Sequence, residues 1–211
     1  MNNKFIQIYE NLLNEYGNQN WWPIHENTDP FEEITIGAIL TQNTSWKNVE
    51  KSIQNLIENN LLSFEKLDKV DIEVLKKLIK PSGFYNQKAK TIKETIKTLK
   101  NIPRNKIDRE TLLSIKGIGR ETADCILLYG LNKPFFVVDA YTKRIFSRAG
   151  LINQNMKYDE IQKKFIENLP KDIQIYKEYH ALIVEHGKRI CLKRNPNCKE
   201  CSISYICIKI F

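Results

Sequence analysis

The chain has 211 residues, a formal charge of +8 and 42% apolar residues, enough for one large domain or two small lobes around a real core. No run of about 18 apolar residues occurs, and the charged opening "MNNKFIQIYENLLNEYG" lacks the apolar stretch of a secretory leader, so no membrane-spanning helix and an intracellular protein are expected. The cation excess favours a polyanionic partner, because Lys and Arg neutralise phosphates and release counterions.

Taken in chain order, nearly every segment has helical periodicity. Phe5, Ile8, Leu12 and Leu13 form one apolar stripe that ends at Gly17. "TDPFEEITIGAIL" carries a start signal, with Thr28 or Asp29 as cap and Pro30 in the first turn. Trp46, Val49, Ile53 and Leu56 share the next face. Further helices are predicted over 72–79, 86–99, 109–115, 120–128, 140–148, 158–169 and 173–190. Phe135 to Val138, "FFVV", is the one convincing extended run and is too short to found a sheet. The fold class is therefore all-α, built of many short helices without repeats.

The C-terminus is chemically distinct. From His186 onward Lys188, Arg189, Lys193, Arg194, Lys199 and Lys209 are opposed by Glu200 alone. In the same stretch Cys191, Cys198, Cys201 and Cys207 are spaced C-x6-C-x2-C-x5-C. Four thiolates in one short loop can surround an iron–sulfur or a zinc centre. Disulfides are the alternative, which an intracellular setting disfavours. Cys125, alone in an apolar helix, reads as a buried core thiol.

"KGIGRETAD", Lys116 to Asp124, lacks the lysine–hydroxyl ending of a nucleotide phosphate loop. Its glycines suit a tight turn whose backbone amides approach a phosphate at the start of the next helix. Together with "FFVVDAYTKRIFSRAGL", "ILTQNT", "GFYNQKA" and the cysteine spacing, it resembles the endonuclease III family of DNA glycosylases, in the helix-hairpin-helix-GPD superfamily. "WWP", "LTQNT", "PSGFYNQKAK" and the glutamate of the hairpin look most like the 3-methyladenine DNA glycosylases of that class. The best-known member of that subgroup lacks the cysteine cluster that this chain keeps.

The resemblance implies two helical lobes. Residues 26–136 would form a helical barrel ending in the hairpin, and 1–25 plus 137–211 a second lobe with an iron–sulfur loop at 191–207. The four cysteines would hold a 4Fe–4S cluster. Asp139 would be the catalytic carboxylate; as a residue opening the helix "AYTKRIF" it also reads as an ordinary cap. Gly117, Ile118, Gly119 and Arg120 would grip the DNA backbone. Gln42 would enter the gap left by a flipped base, or else bond backbone as a buried amide; Phe84 would wedge the opposite strand, or else staple its helix start.

Trp21, Trp22, Pro23 and Trp46 would wall the base pocket by stacking and cation–π attraction, against a plain core-packing role. Glu121 stands where strand-cutting members carry the lysine that forms a Schiff base, which a carboxylate cannot do. It also reads as a favourable charge in a first helical turn or as a pocket residue. The resemblance thus implies a monomeric, monofunctional DNA N-glycosylase acting on damaged double-stranded DNA at the nucleoid of a prokaryotic cytoplasm. It would hydrolyse an alkylated purine such as 3-methyladenine. The alternatives are a bifunctional endonuclease III for oxidised pyrimidines, a glycosylase for mismatched or oxidised purines, and a non-catalytic hairpin protein.

Overall fold

The structure is a computed structural model and describes residues 3–209; residues 1, 2, 210 and 211, at the outer ends of the expected second lobe, lie outside it. Among the described residues all regular structure is helical. The helices are α1 (Lys4–Tyr16), α2 (Pro30–Leu40), α3 (Trp46–Glu58), α4 (Phe64–Lys69), α5 (Ile72–Leu78) and α6 (Tyr85–Leu99). They continue as α7 (Arg109–Ser114), α8 (Arg120–Cys125), α9 (Ala140–Arg148), α10 (Tyr158–Asn168) and α11 (Ile173–Arg189). No helix among the described residues is long and apolar enough to cross a membrane.

The chain divides into two compact units, Met1–Trp21 with Pro134–Phe211, and Trp22–Lys133. In the first, an aromatic cluster fills the centre. Phe136 stacks on Phe165 at 4.1 Å, Phe5 on Phe146 at 5.3 Å, and the Tyr179 hydroxyl donates to the Phe5 carbonyl at 2.8 Å. "FFVV" threads this core without forming a strand. Its backbone finds side chains instead, with Gln162 donating to the Phe136 carbonyl at 2.7 Å and Val138 N–H donating to the Tyr158 hydroxyl at 3.3 Å.

In the second unit α2 is the central helix, buried at every position from Phe31 to Leu40 except Glu32. Asp29 is its cap and accepts from Glu32 N–H at 3.0 Å. Glu33 is a carboxylate on this buried helix. It accepts from His25 N–H at 3.2 Å and from the Thr28 hydroxyl, and lies 2.6 Å from His25 Nδ1.

Several elements differ from the predicted ones. The short α4 lacks enough turns to show a period. The predicted helix over 120–128 is α8 followed by a π turn at Ile126–Gly130. That turn packs on α2, where a Cβ at Gly130 would stand 3.2 Å from the Phe31 ring. Cys125, at the junction, is half-buried rather than enclosed.

Candidate functional site

Asp139 is 9% exposed and opens α9 with extended backbone. Its Oδ1 accepts from Thr142 N–H at 2.7 Å and from the Thr142 hydroxyl at 2.8 Å. Its Oδ2 lies 3.6 Å from Nε2 of His180, on α11. Burial pushes the carboxyl pKa up, but the nearby His180 imidazole, with the Thr142 donors, outweighs it and holds the group below its ordinary value. One oxygen thus fastens the helix while the other belongs to a buried carboxylate–imidazole pair. His180 escaped the sequence reading, although a polar residue four positions after buried Tyr176 on the apolar stripe was a signal.

The hairpin is α7, a turn at residues 115–119, and α8. Gly117 has φ +97°, and a Cβ there would collide with the Thr91 side chain of α6. Arg109 clamps the two helices through a bidentate bond to fully buried Asp124, at 2.7 and 3.1 Å. Ile118 is buried, Arg120 and Glu121 are exposed in the first turn of α8, and Gly119 is its cap residue. Gln42 Nε2 donates to the Gly117 carbonyl and to the Thr122 hydroxyl, both at 3.0 Å, so its amide is seated on the hairpin.

Phe84 is 69% exposed and left-handed, with φ +45° and ψ +28°, directly after Gly83 at φ +68°. A bulky side chain in that region is strained by about 1–3 kcal/mol, and solvent gives nothing back for the ring. Trp22 meets Trp46 edge-on at 5.2 Å and Tyr129 at 5.7 Å, and it fills the space over Gly37, where a Cβ would stand 2.7 Å from its ring. Pro23 and Trp46, with Glu50, Lys51 and Pro81, line an open groove of about 520 Å³. Trp21 is half-buried and belongs to the other unit.

None of the five cysteines is in a disulfide, and Cys191, Cys198, Cys201 and Cys207 are all half-buried. Burial pushes the Cys201 thiol up to about 11, with Cys191, Cys207 and Cys198 close enough to add to the rise. The loop is fastened to α9. Arg144 donates to the Gly187 and Cys191 carbonyls at 2.8 and 2.9 Å. Arg148 donates to Cys191 Sγ at 3.3 Å and to the Leu192 and Lys193 carbonyls at 2.7 and 3.0 Å. Behind the loop, fully buried His186 lies 3.6 Å from Cys201 Sγ and 3.0 Å from the Tyr16 hydroxyl. Among the described residues no three His, Cys, Asp or Glu side chains converge at the spacing of one metal ion.

Comparison with known proteins gives consistent findings. The pattern of the HhH-GPD superfamily of base excision DNA repair proteins matches residues 36–171. A Methanocaldococcus jannaschii protein, provisionally named a DNA repair glycosylase, is 52% identical over 98% of both chains. The endonuclease III of Thermotoga maritima is 35% identical over 87% of this chain and 84% of its own. Among solved structures, the Helicobacter pylori 3-methyladenine DNA glycosylase bound to 1,N6-ethenoadenine is 32% identical, with a TM-score of 0.77 over 89% of this chain and 98% of that one.

Proposed function

The chain belongs to the HhH-GPD superfamily of base excision DNA repair proteins and is a DNA N-glycosylase, and from that premise we propose that it is monofunctional and removes alkylated purines such as 3-methyladenine. The observation that carries the glycosylase chemistry is the buried Asp139, with a depressed pKa, one oxygen committed to Thr142 and the other beside His180.

The chemistry follows from what such a carboxylate can do. The target nucleotide leaves the stack, and the C1′–N bond breaks with its electron pair going to the base. An N3-methylated adenine is cationic while attached and departs neutral. The sugar is left as an oxocarbenium-like cation, which an adjacent carboxylate stabilises electrostatically. Water adds to C1′ and gives its proton to Asp139, producing an abasic site. Trp21, Trp22, Pro23 and Trp46 would stack on the base, and Glu121 would favour a cationic one. Gly117, Ile118, Gly119 and Arg120 would hold the backbone of damaged double-stranded DNA. Gln42 would fill the vacated position and Phe84 would unstack the opposite strand; the exposed, strained Phe84 supports that assignment.

Monofunctionality rests on Glu121, a residue that cannot form a Schiff base. The four loop cysteines suit a 4Fe–4S cluster: none is cross-linked, all are half-buried, and three lie near the fourth. When bound, the cluster neutralises the thiolates and pins the loop; Cys191, Cys198, Cys201 and Cys207 would hold it. The expected setting is a monomer at the nucleoid of a prokaryotic cytoplasm.

The test incubates the protein with methylated duplex DNA and measures free 3-methyladenine and strand breaks, before and after alkali. Base release with breaks only after alkali is the expected result. A borohydride-trapped protein–DNA adduct would instead establish the bifunctional reading.

A further inference from the structure

Lys88 is buried to 2% exposure on α6, and among the described residues no carboxylate pairs with it. Its ammonium donates to the carbonyls of Leu40 and Ser82, both at 2.7 Å. Burial alone pushes its pKa down to about 8. A solvated lysine would stabilise nothing here, so the reason for burying this one lies in what it joins.

The two carbonyls belong to different segments. Leu40 ends α2 and stands two residues before Gln42; Ser82 stands two residues before Phe84. The Lys88 backbone N–H donates in turn to the Phe84 carbonyl at 3.0 Å, and one turn further along α6 Thr91 packs on hairpin Gly117. Helix α6 therefore sets three features from one rigid element: Phe84 at its start, the Gln42 segment through Lys88, and the hairpin through Thr91. Ammonium-to-carbonyl bonds in a dry setting are charge-assisted and directional. An apolar residue would leave two buried acceptors unsatisfied and each segment anchored by fewer bonds.

We propose that Lys88 is a positioning residue for duplex penetration, holding the Gln42 and Phe84 segments in the fixed spacing at which both side chains enter the same base step. The proposal rests on the roles assigned above to Gln42 and Phe84. It gives a lysine outside the reacting centre a share in how fast a paired lesion is extruded, and none in how an already unstacked one is hydrolysed.

The experiment compares wild type, Lys88→Met, Phe84→Ala and Gln42→Ala. Unstacking is read as 2-aminopurine fluorescence in a fully paired duplex and in one where the probe faces a gap. Single-turnover release of 3-methyladenine is read from a methylated duplex and from a non-self-complementary oligonucleotide methylated as a single strand, neither of them heated after methylation. Displacement of positioned groups by about 1 Å can cost about a hundredfold, so Lys88→Met is expected to lose at least about tenfold on paired DNA and less than about twofold on unpaired DNA. Equal losses on both substrates, or none on paired DNA, would overturn it. If Lys88→Met does not fold, Lys88→Gln, which keeps one donor group, must show the same paired-to-unpaired bias. A wild type that unstacks the probe but releases no 3-methyladenine would defeat the substrate assignment and leave the fluorescence arm to judge Lys88. Unchanged unstacking in both Phe84→Ala and Gln42→Ala would remove the premise and the proposal with it.

Discussion

Nε2 of His180 lies 3.6 Å from Oδ2 of Asp139, and both side chains are buried, so the imidazole of α11 faces the carboxylate that caps α9. Asp139→Asn keeps a good capping side chain and removes the charge. The expected outcome is a normal circular dichroism spectrum, a small change in melting temperature, and base release lowered by about 10²–10⁴-fold. Damaged-duplex binding should persist; loss of binding in step with turnover would deny the carboxylate a chemical role.

The same pair fixes the pH behaviour. The folded Asp139 pKa is depressed below the ordinary carboxylate value, chiefly because His180 and Thr142 outweigh burial. A depressed carboxylate contributes stability above its unfolded pKa and loses it as pH falls through the folded one. The acid limb of base release should therefore begin below the pH at which an ordinary aspartate would start to lose its charge. In His180→Leu, which leaves burial without its largest opposing influence, the limb should move to higher pH. A limb that stays put in the variant would show that His180 does not hold the charge.

Phe84→Gly separates stability from function. The left-handed region costs a side chain about 1–2 kcal/mol, against about 0.5–1 kcal/mol for the added flexibility of glycine in the unfolded chain. With the ring 69% exposed, little burial is lost. The variant should melt at the same temperature or up to about 4 °C higher, while release from native duplex falls. A marked drop in melting temperature would make Phe84 a packing residue after all.

Glu121→Lys places an amine in the exposed first turn of α8. Borohydride should trap this variant on damaged DNA and leave wild type untrapped. Equal trapping of both would point to another lysine as nucleophile.

Arg148 donates to Cys191 Sγ and to two carbonyls of the cysteine loop. Arg148→Met should leave absorption near about 400 nm in freshly purified anaerobic protein but speed its bleaching in air. Wild-type bleaching kinetics in the variant would show that the loop holds its centre without α9.

The all-helical class was legible because apolar residues recur at helical spacing and because Asp29, Asp139 and Pro30 mark helix starts through local chemistry. Asp139 was legible as a helix cap for the same reason, whereas its catalytic assignment came from the family resemblance and not from that local pattern. The partners of His180, Lys88 and Arg109 were not legible, since Asp139, Leu40 and Asp124 stand 15 to 48 residues from them. The π turn after α8 is likewise decided by close packing at Gly130 rather than by composition. Gln42 was visible as an amide in "LTQNT", but its seat on Gly117 depends on a turn 75 residues downstream.

Helix α9, capped by Asp139, runs nine residues from Ala140 to Arg148, with the proposed catalytic carboxylate at one end and the fastening of the cysteine loop at the other. A genetic screen scored only by survival after alkylation will therefore return alleles from both ends as one phenotype. On the proposed assignments, colour should sort them: clones altered at the start of α9 are expected to yield brown protein that does not repair, and clones altered at its end protein that fades.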